Sequence, residues 1–301
     1  MSKLQFLYQP FAKLAASSFI NNPIFIVGSG RSGTSVLLQS LGQHRNILAL
    51  PGEAPFLTTI GGAASLFTGP QAAYYQSSAK VEDAYLYKHL AQLGLETAGG
   101  RNFAFKNLLK KLTSKKIFRP LLVKHWAAKT FPPEQVADGL VHVYPNCRYL
   151  YIIRNGIEVV NSKTKFHGFK ENTFKNNCQS WSNSVNTYNF LKSRKNSLFI
   201  RHEDLVNSPA QQFERIFNFL GLTHDKDCID YIENTLVHPL DQAGIKSKNI
   251  SAKLKNRRNP YLDWSRQQQD IFLTECEGAM KDTGYCIPDS TDFQNLKKPV
   301  N

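Results

Sequence analysis

The chain has 301 residues, 42% hydrophobic and 20% charged, a balance that excludes a disordered or low-complexity protein. Such a length accommodates one large α/β domain or two small ones, with enough apolar residues for a core that needs no disulfide staples. The formal net charge of +14 selects anionic partners without choosing among nucleic acid, anionic membrane, acidic glycan and nucleotide cofactor.

Cys147, Cys178, Cys228, Cys276 and Cys286 are scattered and form no CxxC pair. That pattern points to a reducing, cytoplasmic compartment and away from a zinc site, so no metal ligands are expected. No run of about 18 apolar residues occurs, so no transmembrane segment is expected. Met1 to Ile20 mixes Leu4, Phe6, Leu7, Phe11 and Leu14 with Lys3 and Lys13. It lacks the apolar run and cleavage site of a signal peptide and reads as a short amphipathic helix, packed on the domain or lying on a membrane surface.

Ile24-Phe25-Ile26-Val27 is a short apolar run ended by glycine, the pattern of a strand buried on both faces. Ser35 to Leu41 has helical character and stops near Gly42, which makes strand, glycine loop and helix the opening unit. Ile47 to Leu50 is a further apolar run. From about Glu53 to Lys116 the sequence is irregular, with a broadly helical middle, and reads as an insertion or cap over residues 54–116 that shapes an acceptor site. Leu121-Leu122-Val123 and Tyr149 to Ile153 are expected as buried strands, with Pro133 to Val143 as the helix between them. Phe174 to Leu191 is a long helix, Ser197 to Ile200 a strand, and Pro209 to Leu220 a helix with proline at its start and Gly221 at its end. Alternating strands and helices predict an α/β fold, a three-layer α/β/α P-loop-type domain with a mostly parallel central sheet.

Gly28 to Ser35 fits G-x-x-x-x-G-T-S, one residue from the nucleotide-binding pattern that ends in Gly-Lys-Ser/Thr. Its glycines allow backbone N–H groups to converge on an anion, and the helix that follows adds partial positive charge. Thr34 stands where a nucleoside triphosphatase carries lysine, and the loop's cation is Arg31 instead, which disfavours ordinary ATP or GTP hydrolysis. Ser29, Gly30, Arg31, Ser32, Gly33, Thr34 and Ser35 are therefore the candidate anion cradle. Arg154 closes an apolar strand and Ser162 follows eight residues later on a helix. An arginine fork and a hydroxyl at a strand's C-terminal end can grip a phosphate together.

These segments resemble the sulfotransferases that use 3′-phosphoadenosine 5′-phosphosulfate (PAPS), and are closest to the tyrosylprotein branch and its bacterial relatives. The resemblance rests on Ile24 to Ser35, on Tyr144 to Arg148 leading to Arg154-Asn155-Gly156 and Ser162, on Arg201-His202-Glu203-Asp204-Leu205, and on Trp264 with the stretch ending near Tyr285. It implies a single sulfotransferase domain over 1–301, recognisable from 23 to 286, that moves a sulfonate from PAPS to an acceptor hydroxyl and leaves 3′,5′-ADP (PAP), with no metal required. The loop then takes the 5′-phosphosulfate, and Arg154 and Ser162 the 3′-phosphate, to which Ser247 and Lys248 in the basic run of 246–258 could also reach.

By the same resemblance Lys129, in Lys129-Thr130-Phe131-Pro132, meets the sulfonate, although Phe131 departs from the family's Lys-Thr-Pro segment and Lys124 is the rival. Glu53 is the expected base on the acceptor hydroxyl, with His125 as the alternative, and Arg31 assists as a cation. His142 and His202 read as packing or surface residues, and Trp181 and Trp264 as core anchors. The acceptor would be a carbohydrate, lipid or tyrosine hydroxyl, with the positive charge favouring an acidic one. Nucleic acid is not expected, since no RNA-binding signature accompanies the basic run. The competing readings are a kinase or NTPase with a degenerate phosphate loop, and a polyanion-binding protein. The sequence specifies no oligomeric state.

Overall fold

All four residues of β1 (Ile24–Val27) are buried, as a run apolar on both faces requires at the centre of a parallel sheet. The structure is a computed structural model that describes residues 22–68, 72–74, 83–102, 124–237 and 259–288. Around β1 lie β2 (Ile47–Glu53), β3 (His125–Lys129), β4 (Arg148–Ile153) and β5 (Ser197–Arg201), in the order β2-β3-β1-β4-β5. Every pairing among them is parallel.

The helices are α1 (Thr34–Leu41), α2 (Pro55–Ser65), α3 (Asp83–Asn102), α4 (Glu134–Val143), α5 (Gly156–Lys165), α6 (Phe174–Lys192), α7 (His202–Asn207), α8 (Pro209–Leu220), α9 (Lys226–Ile232) and α10 (Arg266–Asp282). Because strand side chains alternate, Phe25 and Val27 face one layer and Ile24 and Ile26 the other. The first layer packs with Leu57 and Ile60 of α2 and Leu140 of α4. The second meets Leu37 and Leu41 of α1 and Phe213 and Phe217 of α8. A separate core joins Val160 of α5, Trp181 of α6 and Phe272 of α10, with Trp264 packed against it. Trp181 is fully buried, which suits the anchoring role expected of it.

The expected strand at Leu121–Val123 lies outside the described residues, and the strand beside β1 is His125–Lys129. The sequence hid it because two small alanines between polar ends do not look like an apolar run. Burial decides otherwise: Trp126, Ala127 and Ala128 are fully enclosed between the layers. The region expected to be irregular after Glu53 is helical where described, in α2, in residues 72–74 and in α3. The expected N-terminal helix and the basic run of 246–258 lie outside the described residues.

A parallel sheet brings every strand's C-terminal end to the same edge, where ligands gather in open α/β sheets. Here that edge collects the loop after β1, Glu53 ending β2, Lys129 ending β3, Arg154 after β4 and His202 after β5.

Candidate active site

The loop between β1 and α1 turns through left-handed backbone at Arg31 (φ 73°) and Gly33 (φ 97°). A Cβ on Gly28 would run into the carbonyl of Ile152 in β4, and one on Gly33 would come within 2.8 Å of the His202 ring. Only glycine lets the loop lie this close to its neighbours. Gly33 caps α1 without any side-chain hydrogen bond, which leaves the helix N-terminus facing the loop's hollow. The Ser29 and Ser32 hydroxyls are buried with no hydrogen-bond partner in the structure. Two orphaned donors inside a glycine loop suit a ligand rich in acceptor oxygens, such as a phosphosulfate.

Beside the loop, Lys129 Nζ donates to Ser35 Oγ at 2.9 Å and lies 3.4 Å from Glu53 Oε1. A register shift in β2 makes this meeting. Ala49 pairs with Ala127, yet Glu53 pairs with Lys129, so the Pro51-Gly52 bulge returns the chain to β3 with its carboxylate at the lysine. Lys129 is 8% exposed whereas the Glu53 side chain is 61% exposed, so the lysine is fixed and the carboxylate is open to an incoming group. Phe131, at the departure from the family's segment, is exposed, with its ring centroid 5.6 Å from Lys129 Nζ.

On the other side of the loop, Arg31 Nε donates to Ser162 Oγ at 3.2 Å, and the Arg31 guanidinium lies 4.1 Å from the centre of the Phe166 ring. Arg154 Nη1 donates to the Arg31 carbonyl at 3.2 Å, and its Nη2 pairs with Glu158 Oε2 at 3.3 Å. Arg31, Arg154 and Ser162, far apart in sequence, thus form one cationic corner.

The rivals lie elsewhere. Lys124 precedes β3 instead of following it, and its N–H donates to the Asn46 carbonyl. His125 begins β3, with Nδ1 2.9 Å from the Asn22 carbonyl at the opposite edge of the sheet from the loop. Neither can reach the loop, because a strand separates them from it. Ser247 and Lys248 lie outside the described residues.

The sequence places His202 as a packing or surface residue, and its ring does pack, behind the loop at Gly33, a neighbour that spacing along the chain does not reveal. Burial first, and the Arg154 charge second, lower its pKa from the ordinary 6.5 to about 3. A histidine depressed in this way folds neutral and takes up a proton on unfolding. Its contribution to stability is therefore complete above about pH 6.5 and is lost as pH falls toward 3. Between pH 7 and 5 the wild type is expected to lose more unfolding free energy than His202→Gln does, measured by urea denaturation. Parallel losses would assign the pH dependence to other groups.

Among the described residues, a five-stranded parallel sheet with a glycine loop after its central strand, and lysine and arginines around it, defines a P-loop-type α/β domain. The chain belongs to the sulfotransferase family, whose sequence profile matches residues 23–226. A curated relative is carbohydrate sulfotransferase 1 of Danio rerio, 28% identical over 113 residues, a match spanning 36% of this chain and just 26% of that protein. The sulfotransferase domain of the curacin biosynthetic pathway shares the fold at TM-score 0.51 and 19% identity, covering 90% of this chain and 100% of that one. So does the sulfotransferase domain of the Synechococcus PCC 7002 olefin synthase, at TM-score 0.51 and 17% identity, covering 89% of this chain and 96% of that one.

Proposed function

We propose that the protein, read as one domain over 1–301, transfers a sulfonate from PAPS to an acceptor hydroxyl. The observation that carries this reading is the convergence of Glu53 and Lys129 on Ser35 of the loop. PAPS supplies an electrophilic sulfur joined to a 5′-phosphate leaving group. The loop from Ser29 to Ser35, with its two orphaned hydroxyls, would cradle the 5′-phosphosulfate, and Arg154 with Ser162 would hold the 3′-phosphate. Arg31 bridges these two regions, bonded to Ser162 while its own carbonyl accepts from Arg154. Ser247 and Lys248 are assigned to the same phosphate on the family resemblance alone.

Glu53 takes the proton from the acceptor hydroxyl as its oxygen bonds to sulfur and the bond from sulfur to the phosphate oxygen breaks. Lys129 and Arg31 stabilise the negative charge that accumulates on the sulfonate and the leaving oxygen. These cations do the work for which phosphoryl transfer uses a metal, so the transfer requires none. In a nucleoside triphosphatase the hydroxyl at Ser35 would hold magnesium, whereas here it accepts a hydrogen bond from Lys129.

The acceptor approaches from the exposed side of Glu53, past the Phe131 ring and α2 and α3 of the 54–116 region. Of carbohydrate, lipid and tyrosine hydroxyls, the likeness to carbohydrate sulfotransferase 1 favours a carbohydrate, and the charge of +14 an acidic one. A cytoplasmic location is favoured by the free cysteines, and among the described residues no helix is long and apolar enough to cross a membrane.

Calorimetric titration with PAP tests the assignment. Binding tighter than millimolar, and clearly tighter than that of 5′-AMP, is expected. Arg154→Ala should weaken PAP binding by about 10- to 150-fold, the scale of a lost charge-assisted hydrogen bond. Equal binding of PAP and 5′-AMP by the wild type would overturn the reading.

A further inference from the structure

The peptide unit joining Arg154 to Asn155 is held at both of its polar ends by side chains. Trp181 Nε1 donates to the Arg154 carbonyl at 3.2 Å, and the Asn155 N–H donates to Glu203 Oε1 at 3.1 Å. The other carboxylate oxygen of Glu203 accepts from the Tyr285 hydroxyl at 2.8 Å. Tyr285 is itself fixed, since its ring lies 4.6 Å from the Arg201 guanidinium, and Arg201 Nη2 donates to the Thr283 carbonyl at 2.7 Å. One carboxylate therefore ties the turn after β4 to the chain just beyond α10, more than a hundred residues away in sequence.

We infer that Glu203, backed by Tyr285, is a positioning residue that orients the Arg154–Asn155 peptide plane and so aims the Arg154 guanidinium at the 3′-phosphate of the donor. This rests on the role proposed above for Arg154. The plane of a peptide sets the direction in which the preceding side chain departs, and here both of its hydrogen bonds come from outside the turn. Asn155 uses its own side chain for a different task, capping α5 at the Ile157 N–H, so the turn depends on Trp181 and Glu203 for its orientation. Burial, and next the adjacent Glu203 charge, push the Tyr285 phenol well above its ordinary range, so it remains a hydroxyl donor at every working pH. Glu203 reaches the nucleotide only through Arg154, which makes its signature selective: grip on the 3′-phosphate changes while grip on the rest of the nucleotide does not.

The test compares PAP with 5′-AMP by calorimetry for the wild type, Glu203→Gln, Tyr285→Phe and Arg154→Ala, with thermal melts to verify folding. Glu203→Gln and Tyr285→Phe are each expected to weaken PAP binding about five- to tenfold, the scale of one positioned hydrogen bond, with 5′-AMP binding unchanged. Neither should weaken PAP further once Arg154 is alanine, because residues that act through one another are non-additive. A parallel loss of both nucleotides, or no loss of PAP, would overturn the inference. Should Arg154→Ala itself leave the ratio of PAP to 5′-AMP affinity unchanged, the 3′-phosphate reading fails and the inference falls with it, an outcome visible in that variant alone. If Glu203→Gln does not fold, Tyr285→Phe, which keeps the ring against Arg201, carries the test.

Discussion

Glu53→Gln is expected to lower turnover by about a hundredfold or more while leaving PAP affinity within about twofold. The amide is nearly isosteric and can still accept a hydrogen bond from Lys129, so the geometry at the end of β2 should persist. It cannot take up a proton. The acceptor oxygen would then have to attack as a hydroxyl or lose its proton to water, and that difference is confined to the transition state. Single-turnover sulfonate transfer from labelled PAPS, beside calorimetry with PAP, separates the two effects. The open side of the carboxylate matters here, since a base must be reachable by the group it deprotonates. A full rate in Glu53→Gln would place the base elsewhere.

Lys129→Met should lower kcat by about a hundred- to a thousandfold, the scale found when one preorganised donor to a developing negative charge is removed. Methionine keeps much of the apolar stem of a side chain that is 8% exposed, so packing under the loop is largely retained. Three interactions disappear with the ammonium, to Ser35, to Glu53 and to the Phe131 ring. The loop and Glu53 should therefore lose their fixed relation, and KM for the acceptor should rise as well. Lys124→Met is the control, because Lys124 stands before β3 at the far edge of the sheet, and its rate should match the wild type. Equal losses in the two variants would mean that general charge, and not placement, is responsible.

Much of the fold was legible because its signals are local. The apolar run at Ile24, the helix expected over Ser35 to Leu41, which begins one residue earlier at Thr34, and Pro209 and Gly221 at the ends of α8 each act through neighbouring residues. The strand at His125 to Lys129 was not legible, since alanine is a poor local signal for a strand and only the surrounding layers reveal that this segment is enclosed.

The site divides along the same line. Sequence by itself determined the loop from Gly28 to Ser35 and its defining replacement, Thr34 where a triphosphatase has lysine, because spacing along a single loop is local information. It also singled out Glu53, Lys129 and Arg154, but left Lys124 and His125 as rivals. Only the tertiary structure separates the two sets in space, because a parallel sheet sends one end of each strand to the loop and the other end away, and the proposed roles rest on that separation. The bulge that returns Glu53 to Lys129, the Arg31–Ser162 contact, the His202 ring behind Gly33 and the Glu203–Tyr285 brace belong to the same category. Each joins residues from different strands or helices, and such contacts exist only once the hydrophobic layers have set those elements side by side.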